Sequence, residues 1–362
     1  LEGYVNPEPD DIYIDLTGYY ILPGLIDMHV HLSNESSRNA YLERVTWNAA
    51  DYAIRATKNA ENTLLAGFTT VRNLGDSDTV TISLRNAIDN GIVIGPRVFS
   101  SGKTISSTGG HGDSSNSLNQ RLTDDLGPKD GVINGEQEAM ESVRFRYKEN
   151  ADLIKFTATG GVLSNAKDGQ NPQMTINEMK AIVSTAKDYG FKVAAHAHGT
   201  EGIKRAVLAG VDSIEHGTLM DNEGAALMRD RGVYYVPTLL AGKWVSDKAL
   251  LEGYYPPFVE KKALEIGPKL QSTFSMAYQA GVKIAFGTDS GVSYITTGKA
   301  TNLALPSGTY TEYASLTESD VIGWLKSHLG SSEVTLIENK VTEEVNSLLY
   351  SVEVEENSTL PW

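Results

Sequence analysis

The 362-residue chain predicts an α/β fold, a (β/α)8 barrel of the TIM type, on three observations. Eight short apolar runs, β-branched or aromatic-rich and bounded by Gly, Asp or Thr, read as buried parallel strands. Amphipathic helical patterns lie between most of them, so strand and helix alternate along the chain. A Gly-x-Gly-x-x-Gly run after the first strand, which would favour an open doubly wound sheet, is missing.

The first strand is expected at 21–28, followed by a helix at 48–66, the second strand at 69–74 and a helix at 80–90. The third strand, 97–101, opens onto 102–135, a stretch rich in Gly, Ser, Asn and Asp that is long enough to act as a lid. A helix at 136–150, the fourth strand at 153–157 and a helix at 176–189 come next. Then follow the fifth strand at 192–196, a helix at 201–209, the sixth strand at 212–216 and a helix at 222–231. The seventh strand, 233–237, a helix over 262–280 and the eighth strand, 282–287, complete the series. Gly67, Gly91, Gly190, Gly210, Gly232 and Gly281 each stand just past a helix, where a left-handed residue closes the last turn. Three regions result: 1–20, short β pieces of an accessory part; 21–298, the barrel; and 299–362, a divergent acidic segment.

Composition narrows the chemistry. The formal charge of −15 argues against nucleic acid or an anionic membrane as partner, since both require basic surface. No run reaches the ~18 apolar residues that span a bilayer. Cysteine is absent, which removes disulfide scaffolds, thiolate zinc sites and cysteine nucleophiles together. Any metal must then rest on His, carboxylate or modified Lys. The chain begins at Leu1, and the compartment stays open.

Seven histidines are present, and five fall at strand ends. His29 and His31 are spaced i, i+2, so both face one side. His196 and His198 repeat the spacing after the fifth strand, His216 ends the sixth and Asp289 follows the eighth. In a barrel the C-terminal strand ends meet on one face, where the active site is built. Lys155, inside the fourth strand, would be costly to bury as an ammonium. Carboxylated by CO2, it becomes a carbamate able to bridge two divalent metals, and imidazole with carboxylate and no sulfur suits Zn2+, with Mn2+, Co2+ and Fe2+ as alternatives. Such a pair would polarise a carbonyl and generate a bridging hydroxide, with Asp289 placed to move the proton. Taken singly, each residue has an ordinary reading: a hydrogen-bonded histidine, a salt-bridged core lysine, a helix-capping aspartate. The joint pattern at five strand ends resists that explanation. Asp76 reads as a turn residue or one that supports the site from behind, and Tyr234 and Tyr235 as packing, with lining of the pocket by one of them as the alternative.

Pro23-Gly24-Leu25-Ile26-Asp27-Met28-His29-Val30-His31-Leu32 resembles the opening motif of the amidohydrolase superfamily, and Lys155, His196, His216 and Asp289 match its other metal positions in order. Ser107-Thr108-Gly109-Gly110-His111-Gly112-Asp113, Ile154-Lys155-Phe156 and Ser213-Ile214-Glu215-His216-Gly217-Thr218-Leu219-Met220 look like the imidazolonepropionase-related branch. That branch includes metal-dependent Xaa-Pro and Xaa-Arg dipeptidases, carboxypeptidase-like enzymes and ochratoxin-type amidases. The resemblance implies that His29, His31 and Asp289 hold one metal, that His196 and His216 hold another, and that Lys155 carbamate bridges them. It implies substrate contacts for His111 and His198, and a small β-sandwich built from the termini. Here that accessory part is expected to be incomplete, because the segment after Asp289 lacks the family's usual histidine and the acidic tail is unlike it. The expected activity is hydrolysis of a C–N bond in a small substrate, a dipeptide or N-acyl amino acid, by a chain that can also self-associate into a homo-oligomer. Cyclic amide hydrolysis of the imidazolonepropionate kind, or a non-catalytic metal-binding barrel remnant, are the alternatives.

Overall fold

The computed structural model describes residues 22–292, except 117, 120, 166 and 167. The accessory segments expected at 1–20 and 299–362 lie outside the described residues.

β1 (Leu25–Val30) is followed by α1 (Ala40–Thr46) and α2 (Ala49–Leu65), then β2 (Phe68–Asn73), α3 (Val80–Asp89) and β3 (Arg97–Ser100). The long third connection carries two short strands, β4 (Ser106–Ser107) and β5 (Val132–Ile133), paired in parallel, before α4 (Glu136–Lys148). β6 (Ile154–Thr157), α5 (Ile176–Asp188), β7 (Val193–Gly199), α6 (Thr200–Ala209), β8 (Ser213–Leu219), α7 (Asn222–Arg231) and β9 (Tyr234–Val236) follow. The described elements end with α8 (Leu239–Ala249), α9 (Pro257–Ile266), α10 (Leu270–Gln279) and β10 (Lys283–Ile284).

Eight of these strands form the barrel wall as two parallel sheets, β1-β2-β3 and β6-β7-β8-β9-β10, joined at both seams. At one seam Ile105 N donates to Lys155 O at 2.9 Å and Thr157 N to Ile105 O at 2.9 Å. At the other, Met28 N donates to Phe286 O at 2.9 Å, Asp289 N to His29 O at 2.7 Å and His31 N to Ser290 O at 2.7 Å. The second seam sets His29, His31 and Asp289 side by side. Residues in β6 and β7 are buried throughout, as a strand covered by helices on one face and barrel interior on the other must be. The main apolar core lies between β6–β8 and helices α4–α7, with Ile154, Phe156, Met179, Ile182, Ile203 and Ile214 fully enclosed.

Local chemistry explains the punctuation. All six glycines expected to end helices have positive φ. Thr175 and Glu178 form a reciprocal cap on α5, each side chain bonding the other's backbone N–H. The helix expected over 262–280 is two helices, α9 and α10, because Gly267-Pro268-Lys269 forms a 3-10 turn between them. Proline has no N–H to continue the ladder and its ring crowds the preceding turn. The two histidines expected after the fifth strand lie within it, as β7 runs on to Gly199. Among the described residues no helix is long and apolar enough to cross a membrane.

Candidate metal centre

The strand ends bring His29, His31 and Asp289 together, with one ligand atom from each within 4.8 Å of the others. His29 Nε2 and His31 Nε2 are 3.3 Å apart, and Asp289 Oδ1 lies 3.4 Å from the first and 3.2 Å from the second. Despite this proximity Asp289 Oδ1 makes no hydrogen bond. Two imidazole nitrogens and a carboxylate oxygen that converge on one gap are a donor set that fits a divalent ion.

The ring of His29 is aimed from behind. Its Nδ1 is 2.8 Å from Glu215 Oε2, and donation to that carboxylate leaves Nε2 as the lone pair. Glu215 is fully buried and accepts from Arg72 at 2.7 Å and from Ser213 Oγ at 2.6 Å. Burial alone would raise the Glu215 carboxyl, but Arg72, His29 and Lys155 bring it down to about 2. Asp27, at the base of the same motif, accepts from His29 N at 3.0 Å, Thr288 N at 3.1 Å and Thr288 Oγ1 at 2.5 Å. It thereby ties β1 to the segment that carries Asp289. Burial nonetheless pushes its carboxyl up to about 6.

A second group of histidines adjoins the first. The His216 ring centroid is 4.9 Å from His29, 4.7 Å from His196 and 5.0 Å from His198. His111, delivered by the long third connection, lies 4.3 Å from His196. His216 Nδ1 is 2.8 Å from Thr238 Oγ1, His198 Nδ1 is 2.8 Å from Thr218 Oγ1, and His196 Nε2 is 3.1 Å from Gly160 O. A contact at one nitrogen leaves the other nitrogen of each of these three rings available as a ligand atom. Burial, aided by neighbouring cationic groups, lowers His29 to about 4, His198 to about 4 and His111 to about 3, and holds His196 and His216 well below the ordinary range. At neutral pH all five are uncharged, which is the ligating form.

Lys155 is 3% exposed. Burial lowers its amine to about 8, opposed by the charges of Glu215 and Asp289. A neutral amine is the form that CO2 can carboxylate. Burial would raise Asp289, but His29, His31 and Lys155 pull it down to about 2, so it is a carboxylate at neutral pH. The eight residues singled out in the sequence therefore share one end of the barrel. Glu215, Arg72 and Asp27 were not singled out, although each is a charged residue within a predicted apolar run, and that was the available signal.

The amidohydrolase family profile matches residues 20–324. The chain belongs to the amidohydrolase family. A solved structure, that of a Xaa-Pro dipeptidase with bound methionine in the active site, is 52% identical with a TM-score of 0.77 over 80% of this chain and 71% of that one. A prolidase solved with N-methylphosphonate-L-proline is 33% identical with a TM-score of 0.71 over 81% of this chain and 71% of its own. Ochratoxinase from Aspergillus niger is 30% identical over 289 residues, 75% of this chain and 58% of its own, so this amidohydrolase spans less than two thirds of that relative's length.

Proposed function

We propose that this amidohydrolase cleaves the C–N amide bond of a small substrate, a dipeptide or an N-acyl amino acid with a free carboxylate. The observation that carries the reading is the meeting of His29 Nε2, His31 Nε2 and the unbonded Asp289 Oδ1 in one gap beside a second histidine group and a buried lysine. His29, His31 and Asp289 would hold one divalent ion and His196 with His216 a second, Lys155 joining them as a carbamate. The nitrogen and oxygen donors suit Zn2+. Bound there, a divalent pair supplies Lewis acidity toward a carbonyl and lowers the pKa of water.

The chain's own groups do the rest. Asp289, ionised at neutral pH, is the base that takes a proton from the attacking water and delivers it to the departing amine. Glu215, acting through His29, keeps the ligating nitrogen turned inward. His111, beside His196, and His198, beside His216, are assigned to orienting the substrate. The likeness to a Xaa-Pro dipeptidase and a prolidase supports a dipeptide over a ring amide.

The test is to load the protein with Zn2+, Mn2+ or Co2+ and offer Xaa-Pro and other dipeptides, N-acyl amino acids and ring amides side by side. Dipeptide or N-acyl amino acid hydrolysis is expected, with Asp289→Asn lowering kcat by ~10²–10⁴-fold. Hydrolysis of ring amides alone would move the assignment to cyclic amides. Protein that takes up no metal and hydrolyses nothing would remove the enzymatic reading.

A further inference from the structure

The loop leaving β6 touches two of the clustered histidines at once. Gly160 O lies 3.1 Å from His196 Nε2. A carbonyl can only accept, so this bond selects the tautomer with hydrogen on Nε2 and leaves Nδ1 as the free lone pair of His196. Gly161 packs flat on His111: a Cβ there would come within 2.2–2.5 Å of three ring atoms. The His111 ring therefore touches both Gly161 and His196.

The same loop is gripped from outside. Lys262, on α9 and 6% exposed, donates from Nζ to Gly161 O at 2.9 Å and to Ser164 O at 2.6 Å. Tyr41, on α1, donates to Leu163 O at 2.8 Å. Within the same connection Gly160 N donates to Asn171 O at 3.2 Å. Burying an ammonium is costly even when it is well bonded, and an apolar side chain of similar volume would pack a loop at less cost. The cation gains something an apolar residue cannot supply, a fixed direction for two backbone carbonyls.

We propose that Lys262 is a positioning residue, which by clamping the 160–164 loop fixes the His196 tautomer and the plane of the His111 ring. The proposal rests on the functional reading above, since it gives these two histidines their chemical roles. Its first readout needs neither metal nor substrate. Long-range 1H–15N correlation spectra of the metal-free protein report each imidazole tautomer. Wild type should show His196 with hydrogen on Nε2, whereas Lys262→Met should show a mixture. After loading, Lys262→Met should bind its weaker metal ~10–100-fold less tightly, as expected when an outer partner of a ligand is lost, and should raise KM more than it lowers kcat. Should Lys262→Met fail to fold, Lys262→Gln, which keeps one donor and removes the buried charge, is read in the same way. Gly161→Ala leaves Lys262 in place and displaces His111 directly, so it should raise KM while His196 keeps its tautomer. A folded Lys262 variant with unchanged tautomer, metal affinity and KM overturns the clamp even if hydrolysis is intact. Tautomer mixing in a protein that neither binds metal nor hydrolyses anything would leave the clamp standing and remove the functional reading instead.

Discussion

Replacing Arg72 with leucine should cost the fold about 3–5 kcal/mol, the usual penalty for leaving one half of a buried ion pair behind. Arg72 donates to Met28 O at 2.7 Å, Ser213 Oγ at 3.0 Å and Glu215 Oε1 at 2.7 Å, and Glu215 has no exposed surface. Three charge-assisted bonds at ~1.5–3 kcal/mol each would sum to more, but bonds that share one side chain are not additive and the lower range is the better expectation. Against a total stability of ~5–15 kcal/mol the loss is large. A second effect follows from the same atoms. Once Arg72 is gone, the main force opposing burial of the Glu215 carboxylate is gone too. A protonated Glu215 is no longer a pure acceptor for His29 Nδ1, so His29 Nε2 loses its fixed role as a lone pair. Metal affinity at His29 should fall by ~10–100-fold. Urea unfolding of the metal-free protein measures the first effect and chelator competition the second. The double variant Arg72→Leu/Glu215→Gln carries no bare charge, so it should be more stable than the summed single losses by ~0.5–3 kcal/mol. A cost below ~1 kcal/mol for Arg72→Leu, or strict additivity in the double variant, would refute the view that this pair is a coupled, buried charge system.

Two more predictions address groups with shifted ionisation. Lys155→Met should leave the metal-free protein at least as stable as wild type, because it removes an amine that burial already penalises. Metal-loaded wild type grown with 13C-bicarbonate should give a carbamate signal that the same variant lacks; a wild type without that signal would refute the carbamate. Burial raises the Asp76 carboxyl to about 7, although Thr81 N and Thr81 Oγ1 donate to its Oδ2 at 2.7 and 2.8 Å. Between its ordinary value of 3.8 and about 7 the folded state holds the extra proton, so this group's contribution to stability falls as pH rises through that window. Relative to Asp76→Asn, wild type should lose ~2–3 kcal/mol between pH 5 and pH 8, and a pH-independent difference between the two in urea unfolding would refute it.

What could be read from the sequence was what a simple period or a single residue type encodes. The i, i+2 spacing of His29 with His31 and of His196 with His198 needs only strand alternation to put each pair on one face. The helix-ending glycines need only the fact that left-handed backbone is cheap for glycine. The break between α9 and α10 was hidden because Ile266, Leu270 and Phe274 continue an i, i+4 apolar rhythm across it. Periodicity survives the single 3-10 turn of Gly267-Pro268-Lys269, so Pro268 deserved more weight than the pattern.

Glu215 was hidden by a deeper feature. Strand alternation sends neighbouring residues to opposite faces, so a sequence in which His216 serves the interior should turn Glu215 away from it. Yet Glu215 Oε2 is 2.8 Å from His29 Nδ1 while the His216 ring lies 4.9 Å from the His29 ring, so both neighbours reach the same side chain. The reconciliation is in the backbone: His216 has φ 69°, a left-handed conformation that a non-glycine residue avoids. Two further non-glycine residues of this end of the barrel share it, Thr238 at 49° and Asp289 at 57°. Each costs about 1–3 kcal/mol and persists only where its surroundings enforce it. For His216 the enforcement is visible, since the buried Tyr235 hydroxyl donates to His216 O at 2.8 Å and Thr238 Oγ1 meets its Nδ1 at 2.8 Å. Tyr235, which the sequence reads as packing, therefore also holds a strained turn. The turn allows consecutive residues of one strand to supply both a candidate ligand and the partner that orients the ligand opposite, which regular strand alternation would forbid.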